Sequence, residues 1–290
     1  MNQTDEGKQD DEARAPAFGS VAVCVDYSDA AKSTIELGRT LAGSEGKLFL
    51  VHATETFARY GWLTMLQEPG LEWKSIGKEL LERLSREVPQ AELVLLQGHP
   101  GASIVDWAKE EKPDVVVCAA HRGTAARVAL GSVSSYLSHH LPCPVAIARP
   151  GADMPQRLTH VAACVDTDAR AADVLTLSRR IADTHRATMS AVHVMVDRLF
   201  GFRAQDWAPD PGDWSSEWER KFADLIGETR CDAVLLEGDS AGRIVCYWAE
   251  QESVDLLVAA THHGAVKRFS PGGFATYVAH HAPCSVLITR

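Results

Sequence analysis

Residues Asp114–Ala148, DVVVCAAHRGTAARVALGSVSSYLSHHLPCPVAIA, decide the fold of this chain. The apolar run after Asp114 has the character of a strand buried on both faces of a parallel sheet. A loop bearing Gly123 follows, then a helix opened by Gly131-Ser132-Val133-Ser134, then a last strand after Pro142-Cys143-Pro144. The same order returns at Asp255–Thr289, DLLVAATHHGAVKRFSPGGFATYVAHHAPCSVLIT. Asp255, Gly264, Gly272, Tyr277, Pro283 and Cys284 each stand 141 positions after Asp114, Gly123, Gly131, Tyr136, Pro142 and Cys143 (255 − 114, and likewise throughout). A constant offset across a strand, a loop and a helix marks a duplicated unit, and a repeat this long is a whole domain. The chain is two copies of one domain.

Outward from that stretch the pattern alternates. Val21–Val25 is a buried strand closed by Asp26. Asp26-Tyr27-Ser28-Asp29 carries turn and N-cap chemistry, and a helix starts near Ala30 with Ala31, Ile35 and Gly38 on one face. Lys47–His52 is the second strand. An aromatic connection (Phe57, Tyr60, Trp62, Trp73) leads to a helix carrying Ile76, Leu80, Leu84 and Val88. Ala91–Gln97 is the third strand, Gly98-His99-Pro100-Gly101 its turn, and a short helix around Ile104 and Ala108 returns the chain to Asp114. The second copy repeats this with His160–Val165 and Asp166, a helix with Val174, Leu177 and Ile181, then Thr188–Val194. A second aromatic connection (Phe200, Phe202, Trp207, Trp214, Trp218) precedes Asp232–Glu237 and Gly238.

Each copy therefore reads β-α-β-α-β-α-β-α-β. That order gives an α/β fold of two tandem five-stranded parallel open sheets with helices on both faces. Residues 1–17 are expected to be a disordered acidic tail, residues 18–150 the first domain and residues 157–290 the second. Sheets of this kind bind ligands beyond the carboxyl ends of their strands, where the strand order reverses. Asp26, the Gly123 loop and the Gly131-Ser132 turn should all emerge there.

The totals exclude several classes. A formal charge of −10 argues against a duplex nucleic-acid partner, which needs clustered Lys and Arg. No apolar run reaches membrane-span length, and the N-terminus has no signal-like pattern, so neither a membrane partner nor export is expected. Seven cysteines without a CxxC pair suit a reducing cytoplasm. There is no GxSxG, no GK[ST] phosphate loop and no HExxH, so an enzyme is the less favoured class.

On these residues the chain resembles a tandem member of the universal stress protein family. The resemblance rests on the Asp closing the first strand (Asp26, Asp166), the Gly after the third (Gly98, Gly238) and the Asp opening the fourth (Asp114, Asp255). It rests also on LGSVS with its helix and HxLPCPVAIA, or HxAPCSVLIT in the second copy. The resemblance implies a five-stranded parallel sheet of the Rossmann-like, adenine nucleotide α-hydrolase-like type, paired with its twin through the last strands. It implies a cytoplasmic protein of the stress response. Some members bind ATP, using the first-strand Asp and a G-x2-G-x9-G-S/T loop, and others lack that loop and bind no nucleotide.

Here the loop departs from the pattern. Gly123 to Gly131 encloses seven residues, and Ala119 or Ala120 holds the place of the first glycine. Alanine keeps the small size and resists positive φ. In the second copy Gly264 to Gly272 again encloses seven, and Gly273 replaces the serine. Three readings stay open. The first domain binds ATP or another adenine nucleotide, with or without magnesium. Alternatively both sites have decayed and the chain is a protein-interaction module, as a homodimer or with another protein. In the third the first domain hydrolyses ATP slowly.

The candidate ligand residues are Asp26, Ser28, Val51, Arg122, Gly123, Arg127, Gly131, Ser132, Val133 and Ser134. Gly131-Ser132 opens a helix whose N–H groups and dipole favour phosphate, and Arg122 and Arg127 supply charge. A turn or helix-capping role would also explain Asp26 and Asp166, with the resemblance pointing to ligand contact at Asp26. Val51, near the end of the second strand, reads as core that could line an adenine pocket. His139-His140 and His280-His281 make poor metal chelates, because adjacent helical residues point about 100° apart. Last-turn histidines suit the helix dipole instead. Cys143 and Cys284 are expected to be small buried residues, with no base nearby to activate a thiolate.

Overall fold

Strand β1 (Ser20–Cys24) forms because its residues are apolar on both sides, and both sides are covered. Val21, Val23 and Val25 point to one helical layer and Ala22 to the other. The structure is a computed structural model that describes residues 15–54, 73–122, 128–149, 155–166, 170–196, 198–199, 202–203, 211–261 and 273–289. Most of the expected tail, the Gly123 and Arg127 positions, and Phe57, Tyr60, Trp62, Phe200 and Trp207 lie outside those residues.

The first copy continues through α1 (Ala30–Ala42), β2 (Lys47–Thr54), α2 (Trp73–Leu84), β3 (Glu92–Gln97), α3 (Pro100–Glu111) and β4 (Val115–Ala119). Then come the two-residue strands β5 (His121–Arg122) and β6 (Val128–Ala129), α4 (Ser132–His140) and β7 (Val145–Ala148). The second copy runs β8 (His160–Cys164), α5 (Ala171–His185), β9 (Thr188–Val196), β10 (Arg198–Leu199), β11 (Phe202–Arg203) and α6 (Pro211–Ile226). It ends with β12 (Asp232–Gly238), α7 (Ala241–Gln251), β13 (Leu256–Ala260), α8 (Phe274–His281) and β14 (Ser285–Thr289).

All ten long strands join one sheet in the order β12-β9-β8-β13-β14-β7-β4-β1-β2-β3. Within this sheet of described residues, pairing is parallel inside each copy and antiparallel only where β14 meets β7, so the two five-stranded halves join through their last strands. Helices α1, α2, α5 and α6 cover one face, packing Ile35, Leu41, Leu80, Ile181 and Phe222 on it. Helices α3, α4, α7 and α8 cover the other with Ile104, Leu137, Val245 and Val278. Each apolar layer runs without a break through both copies, which makes the seam part of the core.

Several local expectations are corrected. Val88 is fully buried, yet it follows the helix: α2 stops at Leu84, and turn bonds such as Val88 N–H to Ser85 O carry the chain inward. Asp29 forms no side-chain cap for α1. The turn is held instead by Ser28, whose backbone N–H and hydroxyl both donate to Asp26 Oδ1 at 2.9 and 2.5 Å. The loop after β4 contains the antiparallel hairpin β5–β6, which periodicity over two residues cannot reveal.

Asp114 and Asp255 have a structural task at the amino edge of the strands. Asp114 Oδ2 accepts from Ser20 N–H at 2.9 Å, and Asp255 Oδ2 accepts from His160 N–H at 3.0 Å. Each carboxylate thereby ties the fourth strand of its copy to the first. Helix–helix contact on the other face depends on glycine. A Cβ on Gly101 would sit 2.7 Å from Tyr136 Cδ1, and one on Gly242 2.5 Å from Tyr277 Cδ1.

Candidate functional site

Strand order reverses between β1 and β4 in the first copy and between β8 and β13 in the second. The chain steps from β1 outward to β2 and β3, then crosses back to β4 on the far side of β1. Two helix layers diverge at such a point, leaving a crevice at the carboxyl ends. Asp26 follows β1 there, and Ala119-Ala120 ends β4 beside it.

In the first copy the crevice is bounded by an open helix terminus. Gly131 is the N-cap of α4, in extended conformation (φ −66°, ψ 166°), and no side chain caps the helix. First-turn N–H groups without a capping side chain are the donors that hold anions at helix N-termini. Ser132 is exposed at this turn, while Val133 is half-buried. Ser134 is buried, and its hydroxyl donates to Ala119 O at 2.6 Å, fastening α4 to the end of β4. Asp26 and Ser28 are exposed at the neighbouring strand end. Val51 is fully buried in the core layer beneath. Arg122 lies on β5, in the segment that follows β4; Gly123 and Arg127 are outside the described residues.

The second copy holds a cavity of about 160 Å³ at its own switch point, lined by Asp166, Arg170, Val192, His193, Val245, Ala260 and Phe274 among others. Three of these are the repeat counterparts of sequence candidates: Asp166 of Asp26, Val192 of Val51 and Phe274 of Val133. The second-copy positions thus converge on one space. Arg170, the N-cap residue of α5 as Asp29 is of α1, lines this cavity and donates from Nη1 to the Thr261 carbonyl.

A histidine of the second strand braces the end of the first strand in each copy. His52 Nδ1 lies 2.8 Å from Val25 O and His193 Nδ1 2.9 Å from Val165 O. An imidazole meeting a carbonyl must donate, so each ring pins the residue before Asp26 or Asp166. The signal was present: His193 stands 141 positions after His52. Tyr27 packs edge-on to His52 at 5.5 Å between centroids.

Cys284 is buried as expected, whereas Cys143 is half-buried because it sits in the bend between α4 and β7. His139, His140, His280 and His281 fall in last helical turns, as their spacing suggested. No group of three or more His, Cys, Asp or Glu that could hold a metal is found among the described residues. Burial pushes the thiols up, Cys118 and Cys246 to about 11 and Cys284 to about 12, which disfavours the thiolate at neutral pH. No described helix is long and apolar enough to cross a membrane.

A duplicated, doubly wound α/β protein with a topological switch point in each copy is the class these features define. The model of the universal stress protein family matches residues 17–149 and again 158–290. A curated universal stress protein of Thermus aquaticus is 32% identical over 143 residues, 46% of this chain and 99% of that protein. Two solved structures align along 94% of the chain. A universal stress protein from Archaeoglobus fulgidus (98% of it covered) gives a TM-score of 0.72 at 14% identity, and a putative one from Pseudomonas aeruginosa (94% covered) gives 0.68 at 16%. The chain belongs to the universal stress protein family, as a tandem member with two domains of that kind.

Proposed function

We propose that this chain is a non-catalytic stress-response module that binds ATP or a related adenine nucleotide in its first domain and changes the surface it offers to protein partners. Asp26 serves the nucleoside end. The N–H groups of Ser132, Val133 and Ser134 serve the phosphates, with Arg122, Gly123 and Arg127 around them. The observation that carries this reading is the α4 N-terminus, which has no capping side chain and opens at the same strand-order reversal as Asp26. Ser134 contributes through its backbone, because its hydroxyl is committed to Ala119.

A second reading, favoured by the cavity beside Asp166, gives the nucleoside end to the second domain. That cavity is below the roughly 300–1,000 Å³ of typical ligand pockets, so it suits a heterocycle better than a whole nucleotide. Calorimetric titration of ATP with magnesium into the wild type, Asp26→Asn and Asp166→Asn separates the readings. Heat lost in Asp26→Asn supports the first domain, and heat lost in Asp166→Asn the second. No heat in the wild type at millimolar ATP ends the nucleotide reading in favour of partner binding alone. Phosphate release during the titration would move the chain to the slow ATPases.

A further inference from the structure

The entrance of α4 is held by the other copy. Leu130, the residue before the N-cap Gly131, donates its N–H to Nδ1 of His280 at 3.2 Å, and His280 lies in the last turn of α8. The hold is itself braced. Arg149, just past β7, donates from Nη1 to the His280 carbonyl at 3.2 Å, and its N–H approaches Ser285 Oγ at 3.4 Å on the first residue of β14. A hydrogen bond runs across the seam at each end of this short circuit.

The chemistry of the acceptor matters. A ring nitrogen that accepts from an amide carries a lone pair, so this imidazole is uncharged with its proton on Nε2. Protonating Nδ1 would set one N–H against another and break the contact. Among the described residues the charged and titratable groups facing His280 are His281 on its own helix and Arg149. Burial, His281 and Arg149 all push its pKa below the ordinary 6.5, which keeps the accepting form at neutral pH. The arrangement is one-sided: the repeat counterpart of Leu130 is Pro271 (271 − 130 = 141), and proline has no N–H to give.

We propose that His280 is a positioning residue by which the second domain fixes the entrance of α4 in the first, and that protonation of its ring releases that entrance. Resting on the reading that the first domain takes a nucleotide, the phosphate cradle then answers to acid through a side chain of the other domain.

The test uses the full chain, with amide exchange at Leu130–Ser134 corrected for intrinsic rates at about pH 7.5 and about pH 5, either side of the histidine range. Wild type should lose about tenfold in protection at Leu130 on acidification. His280→Phe should lack that protection at both pH values. His280→Asn, whose side-chain oxygen can take the same N–H without titrating, should keep it at both. Protection that ignores pH in the wild type, or that survives in His280→Phe, overturns the proposal. ATP titrations of the same proteins then read the consequence. A wild-type affinity falling roughly threefold or more in acid and flat in His280→Asn supports the link to binding. Affinity equal in wild type and His280→Phe sinks that link. Exchange that responds as expected in a protein that takes up no ATP supports the positioning role and overturns the nucleotide reading.

Discussion

Ala146 of β7 lies directly opposite Leu287 of β14, and the two are one position of the repeat (287 − 146 = 141). Their neighbours follow the same rule, with Ile147 facing Val286 and Val145 facing Ile288, so a local twofold axis passes between Ala146 and Leu287. A self-complementary contact of this kind is the geometry of an isologous dimer, built here inside one chain.

Because both apolar layers pass through that seam, the two copies should unfold together. Leu287 is fully buried, so Leu287→Ala should cost about 2–5 kcal/mol and lower a single melting transition. Calorimetry of the wild type with two resolved transitions would contradict the shared core.

Gly101→Ala and Gly242→Ala should each cost about 1–3 kcal/mol by forcing α3 from Tyr136 or α7 from Tyr277. Denaturant unfolding measures this. Pairing Gly101→Ala with Tyr136→Leu should recover part of the loss, since the clash is with the ring. Equal losses in the single and double variants would locate the cost elsewhere.

Asp26→Ala and Asp26→Asn should differ in stability. Alanine removes the acceptor for the Ser28 N–H and hydroxyl and should cost about 1 kcal/mol. Asparagine keeps an acceptor oxygen and should cost less, so it is the cleaner probe of ligand binding. Equal melting temperatures for the two variants would show that the turn bonds are not holding this edge.

Acid should weaken the fold through His185, at the end of α5. Burial and the Arg157 guanidinium depress its pKa below the ordinary 6.5, while a hydrogen bond to Thr40 and the charge of Asp255 act the other way. A base whose folded pKa lies below its unfolded value binds more protons when unfolded. Stability is therefore unaffected well above 6.5, falls as pH drops through that value, and levels off below the folded pKa. His185→Gln should flatten the dependence of melting temperature on pH over this interval. A variant as acid-sensitive as the wild type would assign the loss to other groups.

Thiol chemistry gives an independent check on the core. Cys118 and Cys164 are buried with raised pKa values, as is Cys284. At about pH 8 an alkylating reagent should leave these three unmodified in the folded protein and reach all seven cysteines after denaturation. Rapid labelling of Cys284 in the native state would mean that β14 opens from the seam.

Long buried strands were legible because a parallel strand covered on both faces must be apolar throughout, as in Val21–Val25 and Val115–Val117. The pairing of halves was legible as an implication of the family resemblance. What escaped were contacts whose partners meet only in three dimensions. His280 reaches Leu130 because β14 turns antiparallel to β7, and nothing in either local sequence encodes that encounter. Gly101 is a poor helix former whose reason lies 35 positions on, at Tyr136 (136 − 101). Val88 carried the helical period one turn past the end of α2 because a buried residue after a turn mimics the phase of a helix.

Covalent fusion of the two halves has an evolutionary consequence at the seam. In a dimer of identical chains every substitution is written twice, and a change that helps one side must be tolerated on the other. Here each is written once, so Leu130 carries a donor where Pro271 has none, and small Ala146 stands opposite large Leu287. The molecule keeps the architecture of a symmetric pair, yet its halves are free to specialise as holder and held.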